Sequence, residues 1–169
     1  MRERLMIICL IGILAALGFG VYEKEQLKRH GESVLLELAP ADPRSLIQGD
    51  YMRLRYSIDD KLNSLKIKRI KYIVVRVDER RVAHFERVDR GEPLKRGEHR
   101  LRVKMLRSRL RIVPRSFLFQ EGHAKRYNRA RYGVFRVDES GNNLLIALAD
   151  ATGEVIESGQ LSGSSAVMR

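Results

Sequence analysis

Tryptophan is absent, cysteine occurs once and proline four times in 169 residues. The lone Cys9 excludes an intramolecular disulfide, so cysteine usage carries no message about an oxidising compartment. Aromatic side chains reach only 7%, which leaves Leu, Ile and Val to build most of any core. Histidine is also scarce. His30, His84, His99 and His123 have no i,i+4 partner and no nearby Cys or carboxylate at ligand spacing, so no metal and no cofactor is implied. Acid is the last shortage: 21 Asp and Glu stand against 33 Lys and Arg, a formal net charge of +12. So basic a surface attracts nucleic acid, anionic lipid or an acidic protein or polymer. Nucleic acid is disfavoured, because no recognised fold motif or pattern of stacking aromatics accompanies the charge.

What is present is one long apolar run. Leu5 to Val21 is 17 residues without a charge, flanked by Arg2 and Arg4 before it and by Tyr22 and Lys24 after it. At about 1.5 Å per residue a helix of this length reaches about 25 Å, near the lower limit for a bilayer core. Tyr22 suits the interface and Lys24 can snorkel to it. Gly18-Phe19-Gly20 offers the small-x-small spacing of a cleavable signal peptide. The run is longer than a typical h-region, however, and Glu23 to Arg29 continues it as a polar helix, so the expectation is an uncleaved signal-anchor. A long downstream domain translocates largely regardless of flanking charge, which places the domain outside the cytoplasm.

The remainder divides into residues 31–157, a β-rich domain, and 158–169, a Gly- and Ser-rich flexible tail; residues 1–30 form the anchor and its helical extension. Gly31 closes the helix. Val34–Ala39 is the first expected strand, the Asp42–Ser45 stretch a turn, and Met52–Ile58 the second strand. Asp59–Lys66 reads as a polar loop or short helix. Arg69–Val77 and Val82–Val88 flank a charged turn as a hairpin. Arg100–Leu106 alternates basic and apolar residues, and Arg109–Val113 continues the pattern. Between Lys95 and Arg115 stand nine Lys or Arg and one Glu. A half-buried strand pair with a basic solvent face accounts for them; a dedicated anion-binding face is the second reading. Phe117–Gln120 reads as a strand, Gly122–Arg131 as a helix of under three turns, and Val134–Val137 with Leu144–Leu148 as a last hairpin. The expected fold is therefore mainly β, a barrel or coiled antiparallel sheet, with one short packed helix and the N-terminal transmembrane helix.

Two stretches stand out. The first is Gly49-Asp50-Tyr51-Met52-Arg53-Leu54-Arg55-Tyr56, in which a sharp turn opens a segment alternating Tyr51, Arg53 and Arg55 against Met52, Leu54 and Tyr56. The second runs from Phe119-Gln120-Glu121-Gly122 through Tyr127 to Ala130-Arg131-Tyr132-Gly133. Glu121, Ala124, Tyr127 and Arg131 share one face of the expected helix. Both motifs resemble the GDYxxLxY family of small membrane-anchored proteins, and the resemblance spans Leu35 to about Asp150. It implies a periplasm-facing domain on the inner membrane of a Gram-negative cell and a multi-pass membrane protein as partner, but no reaction. Leu46-Ile-Gln-Gly49-Asp50 is also similar to a short segment of membrane-anchored signal peptidases. The nucleophilic Ser of that pattern is here Ala41, which removes the attacking atom.

The functional expectation is thus a single-pass, non-catalytic accessory module. The alternative is an envelope hydrolase or anionic-ligand binder using Asp50 or Glu121. Arg44, Asp50, Tyr51, Tyr56, Gln120, Glu121, Tyr127, Arg131 and Tyr132 form the candidate set, as a ligand site or as structural pairs. A buried pair across the two motifs, joining Asp50 or Glu121 to Arg44 or Arg131, would hold the short helix beside the strand that starts at Gly49.

Overall fold

A computed structural model describes residues 2–39, 47–48, 51–65, 67, 70–106, 108–120 and 122–157, without the side chains of residues 2, 3, 5, 8, 47 and 48. The turn expected at 42–45 and the tail from 158 lie outside the described residues. One uninterrupted helix, α1 (Arg2–His30), opens the chain. It stops where the amide of Gly31 donates to the Leu27 carbonyl at 2.9 Å. A Cβ on Gly31 would run into that same carbonyl oxygen. Lys28, Arg29 and His30 in the last turn suit the negative end of the helix dipole. The C-terminal turns of α1 touch the last hairpin, where Arg136 Nη1 donates to the Gly31 carbonyl at 2.8 Å. Among the described residues no helix is long and apolar enough to cross a membrane.

The rest is mainly β. Strand β1 (Glu32–Glu37) pairs antiparallel with β10 (Tyr132–Val137), which pairs with β11 (Asn143–Ala149). The short strands β2 (Ile47–Gln48), β3 (Tyr51–Arg53) and β9 (Ser116–Leu118) form a second sheet. The third has β4 (Tyr72–Val77) between β5 (Ala83–Val88) and β6 (Glu98–Arg102), and β7 (Lys104–Leu106) pairs with β8 (Arg109–Arg111). Among the described residues these four sheets do not close into a barrel. Single bridges, Leu35 to Val82 and Leu38 to Tyr56, link them instead. Val34, Leu36, Leu54, Tyr56, Ile73, Leu101, Ile112 and Phe135 share the principal core, while Leu35, Val82, Val134 and Ala149 form a small cluster of their own. Because β1 is covered on both sides, its Val-Leu-Leu run needs no alternation.

Three expected elements come out differently. The strand from Met52 to Ile58 ends at Arg53, and α2 (Ser57–Ser64) begins one residue after the Tyr56 bridge. Asp59 and Asp60 in its first turn favour a helix start, and Ile58 and Leu62, one helical turn apart, are both buried. The Arg100–Leu106 strand breaks at Val103. Arg102 N–H turns aside to the Gly141 carbonyl at 2.9 Å and Val103 N–H to Lys71 at 2.9 Å, so the pairing partner changes there. The turn that receives this bond needs glycine: Gly141 has φ +84, and a Cβ there would lie 2.8 Å from the Arg100 Cβ. Finally, the expected α-helix at Gly122–Arg131 is a 3₁₀ helix, Ala124–Arg129, held by i to i−3 bonds such as Ala130 N–H to the Tyr127 carbonyl at 3.0 Å.

Candidate functional site

The two motifs meet through aromatic side chains. The alternation after Gly49 holds: Met52, Leu54 and Tyr56 are buried, while Arg53 and Arg55 face out and Tyr51 is half-buried. Met52 sits opposite Phe117 in the β3–β9 register. Phe117 in turn packs edge-on against Tyr127 of the 3₁₀ helix at 5.3 Å, and Phe119 stacks on the same ring at 5.1 Å. Tyr127 is fully buried, and its hydroxyl has no hydrogen-bond partner among the described residues. A 3₁₀ helix repeats every three residues, so Ala124, Tyr127 and Ala130 line up toward the core. The short helix therefore packs against β9, the strand that pairs with β3.

Tyr56 closes the seam from the other side. Its ring meets Phe135 edge-on at 5.5 Å, and its hydroxyl donates to the Pro114 carbonyl at 2.8 Å. Burial pushes the phenol far above its ordinary range. Gly133, the last residue of the second motif, lies under this contact: a Cβ would stand 3.2 Å from the Tyr56 ring and 3.1 Å from Phe135.

Arg131 makes no ion pair among the described residues, and the carboxylates expected to meet it, Asp50 and Glu121, lie outside them. Arg131 follows the helix cap at Ala130, and its side chain is exposed; its backbone bonds Leu38 and Ala149 at 2.8 Å each. Gln120 is exposed, and Tyr132 is half-buried against the small cluster rather than the principal core. Arg44, Asp50 and Glu121 lie outside the described residues.

Two other carboxylates are buried, and sequence reasoning passed over both. Asp59, fully buried at the start of α2, accepts from the Ile112 amide at 2.9 Å and stands 3.4 Å from the Arg111 guanidinium. Burial pushes its carboxyl up, against the pull of the Ile112 amide and of Arg111. Glu98, at the head of β6, accepts from the Lys95 amide at 2.9 Å and lies 2.8 Å from Arg87. The Lys95 amide and then the Arg87 guanidinium hold it below the usual carboxylate range. The one signal for Asp59 was its place beside Ile58 and Leu62 at helical spacing. Glu98, next to a basic alternating strand, gave none. Among the described residues no three His, Cys, Asp or Glu side chains gather as metal ligands.

A model of the GDYXXLXY protein family matches residues 13–148. The chain belongs to the GDYXXLXY family. The family match starts within α1 and ends inside β11, so it takes in every GDYXXLXY motif residue that forms the aromatic seam. No curated protein and no solved structure matches the chain.

An open groove of about 1110 Å³ separates the C-terminal turns of α1 from the β domain of this GDYXXLXY protein. Phe19, Tyr22 and Lys24 line one wall; Arg100, Arg102 and Lys104 line the other. Arg100 is engaged with Asp89 at 2.7 Å, whereas Arg102 and Lys104 are exposed and make no ion pair among the described residues. The site as a whole offers an aromatic seam, two internal carboxylates tied to amides and guanidinium groups, and a cation-lined groove beside a helix.

Proposed function

We propose that α1 anchors the chain in a bacterial inner membrane as a single span. The β domain then lies in the periplasm and serves as a non-catalytic interaction module for a multi-pass membrane protein. The observation that carries this reading is the surface of α1. Ile7, Leu10, Ile13, Phe19 and Tyr22 are each at least 56% exposed, and with the exposed Cys9 they fall on every side of the helix. A surface-lying helix keeps one polar face, while a helix apolar all round needs hydrocarbon or protein about it. The uncharged sequence run includes Leu5 and Ile8, whose side chains are not described, and at 17 residues it reaches the short end of spanning lengths.

A supporting role for the domain agrees with the use of its buried acids, which hold backbone amides and neighbouring guanidinium groups. The multi-pass partner is what the GDYXXLXY resemblance implies. Membranes carrying the full chain are washed at alkaline pH and then solubilised in detergent for affinity purification. The protein should stay in the membrane pellet and bring a multi-pass protein with it. Release into the wash would overturn the anchor. Asp50→Asn and Glu121→Gln should leave the captured partner and the cellular phenotype unchanged. Loss of the phenotype with folding and capture intact would favour the hydrolase instead.

A further inference from the structure

The hairpin β7–β8 stands apart from the other sheets, and its two strands are used differently. Strand β8 is clamped to α2. The Asn63 side chain exchanges hydrogen bonds with both the amide and the carbonyl of Leu110 at 3.2 Å, and Asp59 takes Arg111 and the Ile112 amide. Leu110 and Ile112 point into the core. Strand β7 is exposed along its whole length, with Met105 42% and Leu106 39% accessible. Ser108, just before β8, has φ +62.

Charge follows the same division. Lys104 sits directly opposite Arg111, an unfavourable pairing of like charges. Arg111 is offset by Asp59, but Lys104, Arg102 and the exposed Arg109 make no ion pair among the described residues. Two apolar side chains framed by three such cations, on a rigid base, have the composition of a surface that meets anionic headgroups above acyl chains. Position agrees. Lys104 and Arg102 line the groove whose other wall holds Phe19 and Tyr22, the residues at the end of the proposed span. Leu106 lies two strand residues beyond Lys104, roughly 7 Å along.

We infer that the β7–β8 hairpin is a second membrane contact, docking Met105 and Leu106 at the headgroup boundary while Arg102, Lys104 and Arg109 bind anionic phospholipid phosphates. This inference rests on the anchor reading. The two together would hold the domain against the leaflet in one orientation instead of letting it swing on its helix. Each cation near an anionic surface strengthens docking on the order of fivefold.

The test uses the full chain with Cys9→Ser and Ser108→Cys, the latter carrying an environment-sensitive fluorophore, in lipid nanodiscs. The emission should shift to the blue, and spin-labelled lipids should quench it, in phosphatidylcholine discs doped with phosphatidylglycerol. Both effects should fall in pure phosphatidylcholine or high salt, and in Lys104→Gln with Arg109→Gln. Met105→Ser with Leu106→Ser, also at exposed positions, should remove the quenching. A chain that enters the discs but keeps a water-exposed label in both lipids overturns this inference and leaves the anchor standing. Protection of the label only when a protein partner is added overturns it equally, in favour of a protein interface. Failure to enter the discs at all sinks the anchor and the inference together.

Discussion

Tyr56 and Tyr127 are both fully buried tyrosines, yet their hydroxyls are placed in opposite circumstances. Tyr56 donates to the Pro114 carbonyl, while Tyr127 has packing partners and, among the described residues, no hydrogen-bond partner. Tyr56→Phe should therefore cost about 1 kcal/mol or more, and Tyr127→Phe should be neutral or stabilising. Thermal unfolding of the two variants in the same detergent checks the contrast; equal losses would mean that Tyr127 has a polar partner. Glu98 supplies the pH dependence. Its folded-state pKa is lowered, so its contribution is present above the unfolded value of about 4.3 and is lost as pH falls through the folded value. Glu98→Gln should lower the melting temperature at neutral pH, with the gap closing in acid. Asp59 acts in the other sense: its pKa is raised, so its burial costs stability as pH rises from the unfolded toward the folded value. A gap for Glu98→Gln that stays constant down to acid pH would contradict its assignment. At this scale the alternation of Met52, Leu54 and Tyr56 was legible because it repeats locally. The burial of Asp59 was not, because its acceptor role is created by an amide 53 residues away.

Among the elements, the hairpins β4–β5 and β10–β11 were legible from turn residues between apolar runs, and both form in the expected places. The expected strands and helix that failed did so where tertiary contacts changed the backbone's partners. The Gly141 turn takes the amide of Arg102 and so divides β6 from β7. The short helix tightened to a three-residue repeat, which keeps Ala124 and Tyr127 on the inner face, brings in Ala130 and drops Arg131. This has a direct consequence. Arg131→Ala and Arg129→Ala are both changes at exposed side chains and should each alter stability by less than about 0.5 kcal/mol. A large loss for Arg131→Ala alone would point instead to an ion pair between the motifs through Asp50 or Glu121. The aromatic seam, rather than that pair, joins the two motifs among the described residues.

For the whole molecule, membership of the GDYXXLXY family and a mainly β architecture were both readable from two separated strings of residues. How the sheets join was not, because it depends on strand-edge pairings that no local pattern encodes; among the described residues single bridges link them and no barrel closes. The central claim joins an apolar helix to a domain on the far side of the membrane. Glu139 lies exposed at the β10–β11 turn, and Cys9 is the only native cysteine. The most direct measurement is therefore the labelling of Glu139→Cys, with Cys9→Ser, by a membrane-impermeant maleimide in cells with a permeabilised outer membrane and an intact inner one. The account predicts as much labelling before lysis of the inner membrane as after it. Labelling that appears only after lysis would place the domain in the cytoplasm and contradict the account.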